Sequence, residues 1–337
     1  MAQHKDSSLL KISGYVELYY AYDLANPKNN LRPDFIFSHN RHNELALNIG
    51  MIKASVAEDR VRANFALMAG TYTMANLAHE PLGLRNIFEA NIGIKLLKQK
   101  KLWLDVGILP SHIGFESPIG MDCMNMTRSI IADNTPYYET GLNLNYTSDN
   151  EKWLFGTLML NGWQRMQRLE AQQKPSFGHQ ITWKPNKKLK LNSSSFLGYA
   201  APDSLNEMRL YHNFFMEYSA SNKLEFILGL DGGIETNRTR TWGSATCIAQ
   251  YRWNEQFRYS ARFEYFIDDF EVIISKNDFP FFECLSYSIN MDYQPSKQAM
   301  LRLEFRHLRN TFSYFQTNQQ LASRFNYFLG SSLCYKF

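Results

Sequence analysis

Apolar and polar residues alternate with period two along most of the chain. The last twelve residues show it plainly. In Asn326–Phe337, Leu329, Leu333, Tyr335 and Phe337 fall on one side; Phe328, Gly330, Ser332, Cys334 and Lys336 fall on the other. Period two is the side-chain repeat of a β-strand. A final strand that is apolar on one face and ends on an aromatic would leave a sticky edge in a soluble sheet. It suits the closing strand of a transmembrane barrel, with lipid outside and water inside.

The same alternation, bounded by turn residues, predicts sixteen strands, at 11–23, 43–54, 59–70, 86–97, 102–109, 137–148, 152–161, 176–184, 188–199, 208–219, 223–233, 242–253, 256–266, 281–294, 299–308 and 326–337. Most are long enough for a tilted strand to cross a bilayer. Every second connection is short and polar, as in Ala57-Glu-Asp-Arg60, Ser148-Asp-Asn-Glu151 and Pro295-Ser-Lys-Gln298. Those between are longer, and 110–136 is the longest. Tight turns at one end and long loops at the other predict an all-β fold: a transmembrane antiparallel up-and-down barrel of sixteen strands, with short periplasmic turns and long extracellular loops. Residues 1–10 are expected to be a flexible periplasmic N-terminus and 11–337 the barrel.

Facing follows from the alternation. Outward positions include Val16, Leu18 and Tyr20; Leu45, Leu47, Ile49 and Met51; Ile92 and Ile94; Leu228 and Leu230; Tyr259 and Phe263. Inward positions include Asn48, Asn64, Asn91, Asn143, Asn145, Glu225 and Asp231, with Tyr15 and Tyr19 as candidates for an aromatic track. The expected pore-lining charges are Glu17, Arg62, Lys95, Asp105, Arg258, Arg262, Glu264, Asp292, Arg302, Glu304 and Arg306. Trp103, Trp153, Trp163, Trp183, Trp242 and Trp253 lie near strand ends and are expected in interfacial girdles.

Composition narrows the alternatives. Aromatics make up 15% of the 337 residues, as girdles require, and no apolar run reaches the roughly 18 residues of a membrane helix. A net charge of +4 without a separate basic stripe gives no reason to expect nucleic acid. Cys123, Cys247, Cys284 and Cys334 have no metal-ligand spacing and are expected as free thiols. No cofactor, metal or catalytic residue is expected. His39, His42, His79, His112 and His307 gather toward the long-loop end without ligand spacing, and His212 faces outward with no serine partner in view. Neither set makes a hydrolase the leading expectation.

The stretch Gly114-Phe-Glu-Ser-Pro-Ile-Gly-Met-Asp-Cys-Met-Asn-Met-Thr-Arg-Ser129, with Asn134-Thr-Pro-Tyr-Tyr-Glu-Thr-Gly141 after it, resembles the third-loop region of the OmpL-like outer-membrane porins. Asn125, Thr127, Arg128 and Ser129 match that family's Asn…Thr/Ser-Arg-Ser element. Pro136, Tyr137, Thr140 and Gly141 match its Pro-aromatic-x-x-Thr-Gly element. The motif covers about residues 107–146, and the strand spacing extends it along the chain. The resemblance implies a β-barrel pore in the bacterial outer membrane and no catalytic residue. Leu333, Tyr335 and Phe337 likewise resemble the C-terminal signature read by the barrel-assembly machinery on insertion.

The expected activity is passive diffusion of small hydrophilic solutes or ions, with outer-membrane lipid as the surroundings and a homotrimer left open. Sixteen strands enclose more space than wall side chains fill. Loop 110–136 is therefore the expected constriction, offering Glu116, Asp122, Arg128 and Asp133. Its charges are expected to face the wall arginines across the gap and set up a transverse field. Two rival functions fit the same strand pattern: a structural or partner-binding barrel with a blocked lumen, and an outer-membrane hydrolase.

Overall fold

The computed structural model describes residues 10–237, 239–274, 280–317 and 321–337. The expected flexible segment 1–10 lies outside them, apart from Leu10, which starts the first strand. Sixteen antiparallel strands close into one barrel. They are β1 (Leu10–Asp23), β2 (Leu45–Ala57), β3 (Val61–Ala69), β4 (Ile87–Lys95), β5 (Lys101–Pro110), β6 (Tyr138–Thr147), β7 (Trp153–Leu160) and β8 (Ser176–Asn186). The second half comprises β9 (Leu189–Tyr199), β10 (Met208–Ser219), β11 (Leu224–Glu235), β12 (Arg240–Arg252), β13 (Phe257–Asp268), β14 (Phe282–Tyr293), β15 (Ala299–Asn310) and β16 (Phe325–Lys336). Each pairs with its sequence neighbours, and β1 pairs with β16 from Tyr15↔Lys336 to Asp23↔Phe328. Gly14 and Phe337 exchange two main-chain hydrogen bonds of 3.0 Å at the seam. The closing strand therefore leaves no free edge, which is how a barrel satisfies every backbone group inside lipid.

The outer face is apolar along whole rows. Leu228, Leu230, Phe263, Ile289 and Leu329 are exposed there, and Leu333, Tyr335 and Phe337 complete the row on the last strand. Register shifts occur in the pairs β1–β2, β3–β4 and β8–β9, and the first of them reverses an expected facing. Asn48 has no partner of its own in β1, because Glu17 pairs with Ile49 and Leu18 with Leu47. This bulge places two residues of β2 opposite one of β1 and flips the facing beyond it. Ile49, expected outside, is fully buried in the lumen, and Met51 packs against the same interior cluster.

The tryptophans divide. Trp153 and Trp183 stack on each other with centroids 5.4 Å apart and are partly exposed, as is Trp253. Trp242 is buried instead, and Trp163 packs against the interior cluster that contains it. Trp103 lies under the Arg62 guanidinium at 4.4 Å. Position near a strand end does not fix the face a tryptophan takes.

Apolar side chains from the loops pack into the loop half of the lumen. Phe35, Ile36, Ile113, Ile130, Ile131, Ile274, Tyr314 and Phe315 come from loops and pack with wall residues such as Phe196, Trp242, Phe266 and Phe282. A second cluster joins Tyr72 and Leu77, Ile119 and Met166 from three loops to Tyr15 and Met300 of the wall. Apolar side chains on several loops turn inward because burying them removes their surface from water.

Candidate functional site

The lumenal faces of β13, β14 and β15 carry long charged residues on the outer two strands and short polar ones between. Asp292 sits opposite Arg302, Asn290 opposite Glu304, and Ser288 between Arg262 and Arg306. The small side chains of β14 leave room above them, so β13 and β15 reach each other directly. Arg306 Nη2 donates to Glu264 Oε1 across β14 at 2.5 Å, and Arg262 Nη2 approaches Glu304 Oε1 at 3.3 Å. Arg302 forms a two-pronged pair with Asp292 at 2.8 and 3.0 Å. Planar guanidinium forks suit such side-on contacts.

Loop 110–136 lies directly on this layer. Arg302 donates to the carbonyls of Gly120, Cys123 and Met124 at 2.6, 3.0 and 3.1 Å. Arg262 donates to the Thr127 carbonyl at 2.6 Å and Arg306 to the Arg128 carbonyl at 2.9 Å. The acids bind the loop's donors: Glu304 accepts from Thr127 N and Oγ1, both at 2.6 Å, and Glu264 accepts from Ile130 N at 2.7 Å. Met126 N donates to Asn290 Oδ1 at 3.1 Å, and Ser260 Oγ donates to the Met124 carbonyl at 2.6 Å. These bonds satisfy a stretch of irregular backbone inside the barrel, where unpaired polar groups are costly.

The loop is also braced within itself. Arg128 is fully buried and donates to the carbonyls of Ser117, Met126 and Pro118. Glu116 accepts from Ser129 N at 2.9 Å and from its hydroxyl. Ser129 caps the short helix Ile130–Asp133. His112 fastens the loop's start: Nδ1 lies 2.6 Å from Glu139 Oε2, and Nε2 lies 2.8 Å from the Ser195 carbonyl. Burial pulls the His112 pKa down, but Glu139 and that carbonyl together raise it above the ordinary value. Gly178 makes room, since a Cβ there would sit 2.7 Å from His112 Nε2. Burial pushes the Asp133 carboxyl up to about 6 despite Arg306 and Arg128.

The sequence-named charges therefore separate into two groups. Arg262, Glu264, Asp292, Arg302, Glu304 and Arg306 point inward but are buried beneath the loop. Glu17 is also fully buried, held by His39 Nε2 at 3.0 Å and Asn48 Nδ2 at 2.8 Å. Tyr15 and Tyr19 are buried as well, so neither forms an open track. In a second group Arg62, Lys95 and Arg258 keep access to solvent, while Asp105 is buried against Arg62. Arg62 holds Asp105 through bonds of 2.7 and 2.5 Å, with Asn145 on the same carboxylate, and its side chain is 35% exposed. Lys95 lies 3.8 Å from Asp59. Arg258 donates to Gln294 at 2.6 Å beside a cavity of about 290 Å³ between the loop and β10–β13. Asp122 pairs with Lys336 at the same turn end.

The transverse field does not arise from these arginines. The loop and the wall touch, and each guanidinium is occupied by carbonyls and carboxylates instead of facing an acid across water. Sequence reading missed the anchoring carbonyls because main-chain acceptors leave no residue signature.

The remaining histidines are dispersed. His42 contacts Asp23 N and Asn26, while His307 stacks on Tyr327. Among the described residues no group of three histidine, cysteine, aspartate or glutamate side chains is placed to hold a metal ion. On the outer wall Ser195 Oγ lies 2.5 Å from His179 Nδ1, and Ser193 lies 3.4 Å from both His179 and His212. The sequence hid these serine partners because they belong to a neighbouring strand. Among the described residues no carboxylate hydrogen-bonds either imidazole.

The fold is shared with solved outer-membrane proteins at low identity. The outer membrane channel DcaP of Acinetobacter baumannii superposes with a TM-score of 0.63 at 10% identity, over 97% of both chains. Salmonella typhi OmpF, in complex with daunomycin, gives 0.64 at 9% over 97% of both. An anion-selective porin from Comamonas acidovorans gives 0.62 at 9%, over 97% of this chain and 99% of that one. No curated protein matches the sequence. The family model described as "Putative beta-barrel porin-2, OmpL-like" matches residues 9–337. With a closed sixteen-stranded wall and a match over nearly its full length, the chain belongs to the OmpL-like β-barrel porins of the bacterial outer membrane.

Proposed function

We propose that loop 110–136 is the constriction of this porin, and that small hydrophilic solutes and ions diffuse passively along the wall the loop leaves uncovered. The observation that carries this reading is the fixed main chain of residues 120–130, tied to β13–β15 by side chains from both sides of the layer. Arg262, Glu264, Asp292, Arg302, Glu304 and Arg306 act in this reading as the loop's mount. Arg62, Lys95 and Arg258 are the charges that meet the permeating solute, and Asp105, buried against Arg62, holds that arginine in place. No catalytic residue is assigned: among the described residues no carboxylate hydrogen-bonds His179 or His212 to orient it as a base beside Ser193 and Ser195, as a triad would. Leu333, Tyr335 and Phe337 serve insertion by the barrel-assembly machinery, and the assembly is a homotrimer in lipid.

Single-channel recording in planar bilayers tests the reading. Discrete conductance steps are expected, and Arg62→Glu with Arg258→Glu should move the reversal potential toward cation preference. Folded protein that never conducts would overturn it. A specific observation favours the second reading, a blocked lumen: the loop-borne cluster of Phe35, Ile36, Ile130, Ile274 and Phe315 in the loop half. The same recording separates the two.

A further inference from the structure

Loop 24–44 holds an arginine whose surroundings are built for an anion that the protein itself does not supply. Arg32 is 3% exposed. Its Nη1 donates to the His39 carbonyl at 3.2 Å, and its guanidinium carbon lies 3.7 Å over the Phe328 ring. Among the described residues its Nε and Nη2 atoms are buried with no hydrogen-bond partner, and no carboxylate of those residues forms an ion pair with it. Those two nitrogens form one edge of the guanidinium, the edge that receives a carboxylate side-on through two parallel bonds. Leaving it empty in a buried place is costly.

The residue cannot easily swing away. Arg32 N donates to the Asn40 carbonyl at 2.9 Å, and His42 N to the Asn30 carbonyl at 2.8 Å. Phe328 beneath it is fully buried. Burial pulls its pKa down to about 10, with Asp23 opposing, so the group remains cationic at neutral pH.

Arg32 lines a cavity of about 540 Å³ at the loop end of the barrel, between loop 24–44, Ala75 and residues 314–316. That volume is in the range of small-molecule sites. Phe37 and Phe315 give it apolar surface, and Asn29 and Asn40 give it amide groups. Two acids also line it. Asp23 is already engaged, accepting from Ala25 N at 2.9 Å and from Asn326 Nδ2 at 2.7 and 2.8 Å. Asp34 accepts from the Tyr314 hydroxyl on Oδ1 at 2.9 Å.

We propose that this cavity is a docking site at the outer mouth of the channel for a small monocarboxylate carrying an amino group, such as an amino acid. The carboxylate takes the side-on edge of Arg32, and the ammonium faces the Asp34 end. Asp23 and Asp34 disfavour a second carboxylate, so dicarboxylates are rejected. The proposal rests on the porin reading for its place on a solute's path, while its chemistry stands on Arg32 and the cavity.

Titration calorimetry on folded protein in detergent tests it without any current. L-phenylalanine, L-phenylalaninamide and succinate are the probes. Saturable binding of L-phenylalanine is expected, with the amide and succinate weaker by roughly ten- to hundredfold, the scale of a lost charge-assisted hydrogen-bond pair. Arg32→Met should abolish binding. Arg32→Lys keeps the charge but loses the fork, and should weaken it by roughly tenfold. Asp34→Asn should bind succinate better than the parent does, a gain that mere structural damage would not produce. Equal binding of acid and amide, undiminished binding in folded Arg32→Lys, or no saturable binding of L-phenylalanine would each overturn the proposal. A barrel that binds but never conducts keeps this site and loses the porin reading. One that conducts but does not bind loses this site alone.

Discussion

Replacing Arg302 by methionine isolates the mount of the loop from the integrity of the wall. Arg302 gives Asp292 two bonds and the loop three, all between 2.6 and 3.1 Å. Methionine keeps the apolar bulk and removes every donor. Asp292, 1% exposed, then retains the Asn290 amide at 2.8 Å and, among the described residues, no ion pair within 4 Å. Orphaning one partner of a buried ion pair costs about 3–5 kcal/mol. The Cys123 carbonyl, left without its donor, adds about 1–3 kcal/mol unless it finds water, while those of Gly120 and Met124 keep Cys123 N at 3.1 Å and Ser260 Oγ at 2.6 Å. The Cys123 carbonyl has that escape, because the loop can shift there, whereas Asp292 is fixed in a strand. Segment 119–123 should therefore loosen from the wall while the barrel stays closed. The double variant Arg302→Met/Asp292→Leu removes the stranded acid as well. It should recover most of the lost stability, read as the temperature at which the folded band disappears on SDS gels. Both variants should conduct more current per channel than the parent. Parent-like conductance in both would refute the assignment of Arg302 as a mount that sets the passage.

Asp133 gives the loop a pH dependence of opposite sign to a salt-bridged acid. Its folded pKa of about 6 exceeds the ordinary 3.8, so below about pH 4 the group is neutral in both states and costs nothing. Between there and pH 6 only the folded state keeps the proton, and stability falls as pH rises, by on the order of 3 kcal/mol at most. Melting of the parent measured against Asp133→Asn from pH 4 to 7.5 should show that difference, and parallel curves would refute it. On the outer wall, Leu228→Arg should cost about 2–4 kcal/mol near the bilayer midplane. Asn143→Arg, lumenal and half-buried, should fold normally and shift ion selectivity instead. Asn48→Arg should destabilise despite facing inward, because Asn48 is fully buried and bonds Glu17 and His39 N. Denaturant unfolding in detergent checks all three, and equal loss at Leu228 and Asn143 would show the facing to be wrong.

The wall was legible from the sequence because its physics is local. Period two, strand length and the alternation of tight turns with long loops are each properties of neighbouring residues, and all sixteen strands follow from them. Ile49 and Met51 escaped because a single bulge reverses the face, and period-two counting carries no register information across a turn. The serines beside His179 and His212 escaped for a related reason: strand pairing brings them together from β9, between the two histidine strands.

The sequence by itself determined a closed cylinder, with its lipid-facing rows and its inward charges, since side-chain polarity along a strand dictates which face meets lipid. Only the tertiary structure decided what those inward charges do. Arg262, Arg302 and Arg306 are spent on carbonyls of a loop more than a hundred residues away, and Arg32 keeps a free edge. A guanidinium binds whatever acceptor folding brings within about 3 Å. That distance is set by the path of the loops through the lumen, which no periodicity records.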